Sequence, residues 1–136
     1  MGKFSTLIAG ALLITVAGPA SAERPDPETE LARALEGRVA GEPVDCIDTY
    51  RVRSSRIIDG TAILYDAGSI LYVNRPDSGA ESMDRWDTLV TILYSSTRLC
   101  SIDTVRLVDS TTRAERGIVF LGEFVPYRRV EAAAAE

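Results

Sequence analysis

Histidine does not occur in the 136 residues. Its absence removes the commonest general base, the imidazole ligand of most catalytic zinc sites, and every serine or cysteine nucleophile that relies on an imidazole. Cysteine occurs only at Cys46 and Cys100, with no Cys-x-x-Cys spacing of the kind redox pairs use. No run of alternating oxygen ligands with a glycine marks a calcium loop. No apolar stretch reaches the roughly twenty residues that span a bilayer. What survives is carboxylate chemistry, tyrosine chemistry or no chemistry, and no residue pattern calls for a cofactor or a metal.

Lysine is nearly absent too, and the one that exists is informative. Lys3 supplies the positive start of an export signal, residues 7–17 its apolar run, and Ala20-Ser21-Ala22 a small-x-small cleavage site. Cleavage between Ala22 and Glu23 would place the chain in the periplasm or outside the cell and leave roughly 114 residues, one domain. No cysteine follows the cut, so no lipid anchor is indicated. Without Lys3, 14 arginines face 20 acids, a net charge of about −6. This argues against nucleic acid and anionic membrane surfaces as partners and is compatible with a basic protein. In an oxidising compartment Cys46 and Cys100 are expected to pair. The bridge would close about 55 residues and contribute about 4 kcal/mol in the chain-entropy account, a staple that suits so small a domain.

Residues 23–43 read as a polar leader with one helix of about ten residues. Asp26 can cap it, Pro27 fits its first position, Glu28 and Glu30 favour the positive end of its dipole, and Gly37 stops it. Leu31 and Leu35 share one face, by which the helix would dock on the β region or else fray. From Val44 the period becomes alternating. Asp59-Gly60 between Arg56-Ile57-Ile58 and Thr61-Ala62-Ile63-Leu64-Tyr65 predicts a tight hairpin with positive φ at both turn residues. Ala67-Gly68-Ser69 reverses the chain again into residues 70–73, giving a three-stranded meander. Residues 75–87 form the long loop that holds Trp86, the sole tryptophan. A fourth strand over 88–94 puts Val90, Ile92 and Tyr94 on one face, and Ser95-Ser96-Thr97 turns towards Cys100. A fifth over 104–109 points Val105 and Leu107 one way. A last strand over 117–127 alternates Ile118, Phe120 and Phe124 with Val119, Leu121 and Val125, and Gly122 inside it suggests a bulge or sharp bend. The expected fold is mainly β: a small antiparallel barrel or sandwich of about six strands over residues 44–128, with one short N-terminal helix, stapled by a disulfide. Residues 129–136 read as a disordered tail.

These segments resemble a family of small exported proteobacterial proteins of unknown function. The matching residues are Cys46-Ile47, Arg53-Ser54-Ser55-Arg56-Ile57-Ile58-Asp59-Gly60, Leu71-Tyr72-Val73-Asn74-Arg75, Leu99-Cys100, Asp103-Thr104-Val105-Arg106-Leu107-Val108-Asp109 and Leu121-Gly122-Glu123-Phe124-Val125-Pro126-Tyr127. The resemblance covers about residues 44–128 and implies a periplasmic or secreted setting without an assigned activity. Relatives often carry two further cysteines, near the positions of Ala80 and Val119, and an Arg-Gly-Asp turn where this chain has Ser101-Ile102-Asp103. The joint absence of the second pair implies a long loop less tethered here.

Candidate binding residues are Arg85 and Trp86 in the long loop, since tryptophan and arginine dominate protein interfaces, and Arg51 and Arg53, which share a face and could grip an anion. Against these stand structural roles: Met83 and Trp86 as a lid on the core, the arginines paired with acids such as Asp48 or Glu123. The function that fits best is a non-enzymatic envelope protein that binds another protein or a small ligand. The alternatives are a hydrolase built on Asp45, Asp48 or Asp103, which would need two acids across a cleft, and an inhibitor of a basic hydrolase. The sequence leaves the oligomeric state open.

Overall fold

Helix α1 (Pro27–Ala34) forms where its start signals stand. The Asp26 carboxylate accepts from the Thr29 backbone N–H at 3.1 Å, Pro27 lies in the first turn, and the chain leaves past Gly37 at φ +72°, a left-handed conformation that favours glycine. Eight residues do not make a stable helix alone. Leu31, 3 % exposed, packs against Ile58, Ala62, Leu64 and Val73, so the helix docks. This computed structural model describes residues 2, 10, 11, 13–19, 23–93 and 97–131. Much of the expected signal, Tyr94 with the Ser95-Ser96 turn and the terminal alanines lie outside the described residues. Among the described residues no helix is long and apolar enough to cross a membrane.

The strands are β1 (Arg38–Ala40), β2 (Cys46–Asp48), β3 (Ser54–Ile58), β4 (Ala62–Asp66), β5 (Ile70–Asn74), β6 (Asp87–Thr91), β7 (Arg98–Cys100), β8 (Thr104–Asp109), β9 (Glu115–Phe120) and β10 (Phe124–Arg129). They make three antiparallel sheets, ordered β1-β10-β5-β4-β3, β2-β7 and β6-β8-β9. The protein is mainly β with, among the described residues, one short α-helix, and a disulfide joins Cys46 to Cys100. The ten strands among the described residues exceed the six expected. None of the sheets closes on itself, so the arrangement is an open, sandwich-like stack rather than a barrel.

The five-stranded sheet separates two cores. Ile57, Ile63, Tyr65 and Phe124 face Val105, Leu107 and Val119 of the three-stranded sheet and Ile47 and Leu99 of the two-stranded one. Ile58, Ala62, Leu64 and Val73 face the helix. Coverage on both sides explains why Ala62-Ile63-Leu64-Tyr65 is apolar without alternation and buried throughout.

Three local expectations change. At the β3–β4 hairpin only Gly60 has positive φ, +62°, and Ile58 pairs with Ala62 across three turn residues, Thr61 N–H donating to Ile58 C=O at 3.0 Å. A three-residue turn needs the left-handed conformation at one position only. Strand β1, from the stretch read as leader, pairs with β10, and Arg129, assigned to a disordered tail, lies opposite Arg38 in that pairing. The single strand expected over 117–127 is two: β9 ends at Phe120, β10 starts at Phe124, and they belong to different sheets. Gly122 is the bend between them.

One buried group sits uneasily in this core. The Tyr65 ring meets Phe124 edge-on at 5.7 Å, and its hydroxyl has no hydrogen-bond partner among the described residues. Burial pushes the phenol above its ordinary value near 10. Tyr65→Phe keeps the ring and removes the orphan oxygen, so stability should rise by about 1 kcal/mol at neutral pH. Above about pH 10 an unfolded chain ionises this phenol and the folded one does not, so wild type loses stability as pH rises and the variant escapes that loss. Urea titrations at pH 8 and above pH 10 should therefore show a gap between the two proteins that widens with pH; a constant or shrinking gap would contradict it.

Candidate functional site

The β3–β4 turn, the long loop and α1 meet around Asp59. The Asp59 carboxylate accepts from the Arg85 backbone N–H at 2.7 Å, from its Nε at 2.8 Å and from its Nη2 at 2.6 Å, while Nη2 also donates to Glu30 on α1 at 3.0 Å. Burial alone would raise the Asp59 carboxyl; the hydrogen bonds and charge of Arg85 outweigh it and hold the group below its ordinary value. Arg85 is thus committed within the fold, tying helix, hairpin and loop together.

Trp86 differs from its neighbours. Its backbone N–H donates to Asp84 Oδ1 at 2.9 Å, the Asp84 N–H donates to Asp87 Oδ2 at 3.0 Å, and Arg116 reaches Asp87 Oδ1 at 3.2 Å. The loop is therefore fixed on both sides of the tryptophan, yet the side chain stays 70 % exposed. The expected lid divides in two: Met83 is buried in the larger core and accepts the Gly60 N–H at 3.0 Å, whereas Trp86 covers nothing comparable.

Arg51 and Arg53 lie elsewhere. Both precede β3, whose far end leads to Asp59, so about 20 Å of strand separates them from Arg85. Arg51 is 3.9 Å from Asp48 and largely in solvent. The Arg53 backbone N–H donates to Asp66 C=O at 2.7 Å, and its guanidinium lies over Gly68 of the β4–β5 turn, where an added Cβ would come within 3.2 Å of it. The four candidate residues thus form two groups at opposite ends of one hairpin.

Compared with family models, curated proteins and solved structures, the chain matches none.

The three acids considered for hydrolysis are dispersed in their work. Asp48 accepts the Tyr50 N–H at 3.0 Å and Asp103 accepts the Cys100 N–H at 2.7 Å, both capping turns. Asp45 lines an open groove of about 500 Å³ with Val73, Val125, Tyr127, Asp77 and Glu123, and Asp103 borders a separate one of about 300 Å³ beside Val90 and Arg106. At the side of the larger groove Arg75 grips Glu28 through two parallel bonds of 2.8 and 2.9 Å, which hold the Glu28 carboxyl below its ordinary value. Among the described residues no three histidine, cysteine, aspartate or glutamate side chains converge as a metal site requires.

Sequence reading missed the outer face of the three-stranded sheet. Val90 lies opposite Arg106 and Arg106 opposite Ile118, while Thr104 lies opposite Phe120. Val90, Ile92, Ile118 and Phe120 are all exposed. The alternation of β6 was visible, but the side of it that faces the core is the one carrying Leu89 and Leu93.

Proposed function

We propose that the protein is an exported, non-enzymatic binding module that engages an envelope component through Trp86. The observation that carries this reading is the pairing of a fixed backbone with an exposed indole. Ordering costs conformational entropy before any partner arrives, and a rigid aromatic anchor contributes most to association when that cost is already met. Small domains normally use every large apolar side chain in the core. Here the largest stands outside it, on a backbone fixed by Asp84 and Asp87. The export signal, the disulfide and the resemblance to small exported proteins support the setting. A basic protein fits best as partner, because the chain is net negative.

The test compares affinity capture from envelope extract by wild type and by Trp86→Ala. The variant should melt within a few degrees of wild type, since an exposed side chain contributes little to the core, and should lose the partner that wild type retains. Trp86 is also the only tryptophan, so the purified partner should shift its emission to the blue as the indole leaves water. Retention of every partner by Trp86→Ala would remove Trp86 from the site.

A further inference from the structure

The sheet edges of this protein are treated unequally. Strand β1 is three residues long and begins with Arg38. Strand β3 carries Arg56 and is preceded by Arg51 and Arg53. Strand β9 is partly covered, because Phe120 exchanges backbone bonds with the long loop: its C=O accepts the Asp77 N–H at 2.9 Å and its N–H donates to Ser78 C=O at 3.0 Å. Short strands, arginines and covering loops are the usual means by which edges are kept from pairing.

Among the described residues, strand β6 has none of them. Residues 88–93 read Thr-Leu-Val-Thr-Ile-Leu, without charge, proline or glycine, and four of the six are β-branched. The strand pairs with β8 on one side only, and among the described residues the backbone of 88–93 makes no bond outside that ladder. Leu89 and Leu93 pack inward against the core, while Val90 and Ile92 stand outward, 38 % and 46 % exposed.

We propose that β6 pairs antiparallel with β6 of a second copy of this chain, joining two three-stranded sheets into one of six. The composition of the edge selects this occupant. A two-fold axis sets the residue on it against itself and its neighbours against residues of the same short run, which repels where the run is charged and is favourable where it is apolar and β-branched. Centred on Val90, the pairing sets Val90 against Val90, Thr88 against Ile92 and Leu89 against Thr91 of the other copy, and keeps outward residues on one face. Asp87, the nearest charge along the strand, is turned in to Arg116 with its side chain 1 % exposed, and Arg106, opposite Val90 on β8, lies one strand back from the edge. The two Trp86 residues would stand about 27 Å apart along the strand direction, a bivalent presentation. The pairing does not depend on the function proposed above.

A six-residue edge spans about 20 Å and buries less than the 1,200 Å² of a standard interface, so the dimer is weak and concentration-dependent. Sedimentation equilibrium of the purified protein from micromolar to several hundred micromolar should show the average mass rising from one chain towards two. Val90→Lys places two ammonium groups together at the axis and should weaken association at least about tenfold. Phe120→Lys, on the same outer face but on β9, should leave it unchanged. Val90→Cys should give a reducible covalent dimer under oxidising conditions, whereas Thr88→Cys, which faces Ile92 rather than itself, should not. A wild-type mass that stays at one chain, or Val90→Lys associating as wild type does, overturns the proposal. Equal loss with Phe120→Lys would mean that faces stack rather than edges pair, and failure of the Val90→Cys bridge would refute the register; either outcome also overturns it.

Discussion

Gly122→Ala should leave the protein unable to hold its native structure, and Asn74→Ala should cost about 2–4 kcal/mol. A Cβ at position 122 would lie 2.4 Å from the Arg75 carbonyl oxygen and 3.2 Å from Asp77 Oδ1. The first neighbour is backbone at the end of β5 and cannot swing aside. Asn74, fully buried, reads the same corner with its side chain: its Nδ2 donates to Gly122 C=O at 2.7 Å and its Oδ1 accepts the Gly122 N–H at 3.0 Å. The two bonds satisfy a backbone unit that has left β9 and not yet joined β10. Removing the amide strands both groups away from water, which costs more than the bonds themselves contribute. Urea unfolding followed by circular dichroism should show a lower midpoint with an unchanged slope for Asn74→Ala. Trp86 fluorescence is a poor probe for this purpose, because the indole is already in solvent. An Asn74→Ala midpoint within error of wild type would show that the corner is held by something else.

That corner explains both the success and the limit of reading the sequence. Isolated Gly122 does signal a break in the alternation, and the expected bend is there. What local pattern cannot show is that the chain changes sheets at it. Val119, Leu121 and Phe124 are all buried, although an uninterrupted strand would put Phe124 on the opposite face from the other two. Only a turn of the backbone brings them into one core. Helix α1 and the β3–β4–β5 meander were legible because capping residues, turn glycines and hydrophobic period act within a few positions. Strand β1 was not, since its three residues have meaning only through their pairing with β10.

The candidate surface follows the same division. Residue type alone pointed to Arg85 and Trp86 together. Their fates are opposite, and the cause is a carboxylate 26 positions away, Asp59, which takes the guanidinium and leaves the indole. Glu28 on Arg75 and Glu30 on Arg85 likewise act across 47 and 55 positions. The clamp of α1 onto the loops was invisible in the acidic first turn, which reads equally well as favourable interaction with the helix dipole.

Cys46→Ser with Cys100→Ser should destabilise the protein by about 2–5 kcal/mol and lower its melting temperature by roughly 10–20 °C. Cys46 and Cys100 stand opposite each other in β2 and β7, a pair of strands with three residue pairs and, among the described residues, no third member. Two short strands do not hold together unaided. The bridge spans 54 positions, and the loop it closes contains β3, β4, β5 and β6, strands from both sides of the larger core. Ile47 and Leu99, the neighbours of the two cysteines, are buried in that core. Loss of the bridge should therefore open the β2–β7 corner first, and hydrogen exchange should show amides of residues 46–48 and 98–100 losing protection before those of β4. Uniform loss across both sheets would mean that the bridge acts only on the unfolded chain, by limiting its freedom, and that the corner stands without it.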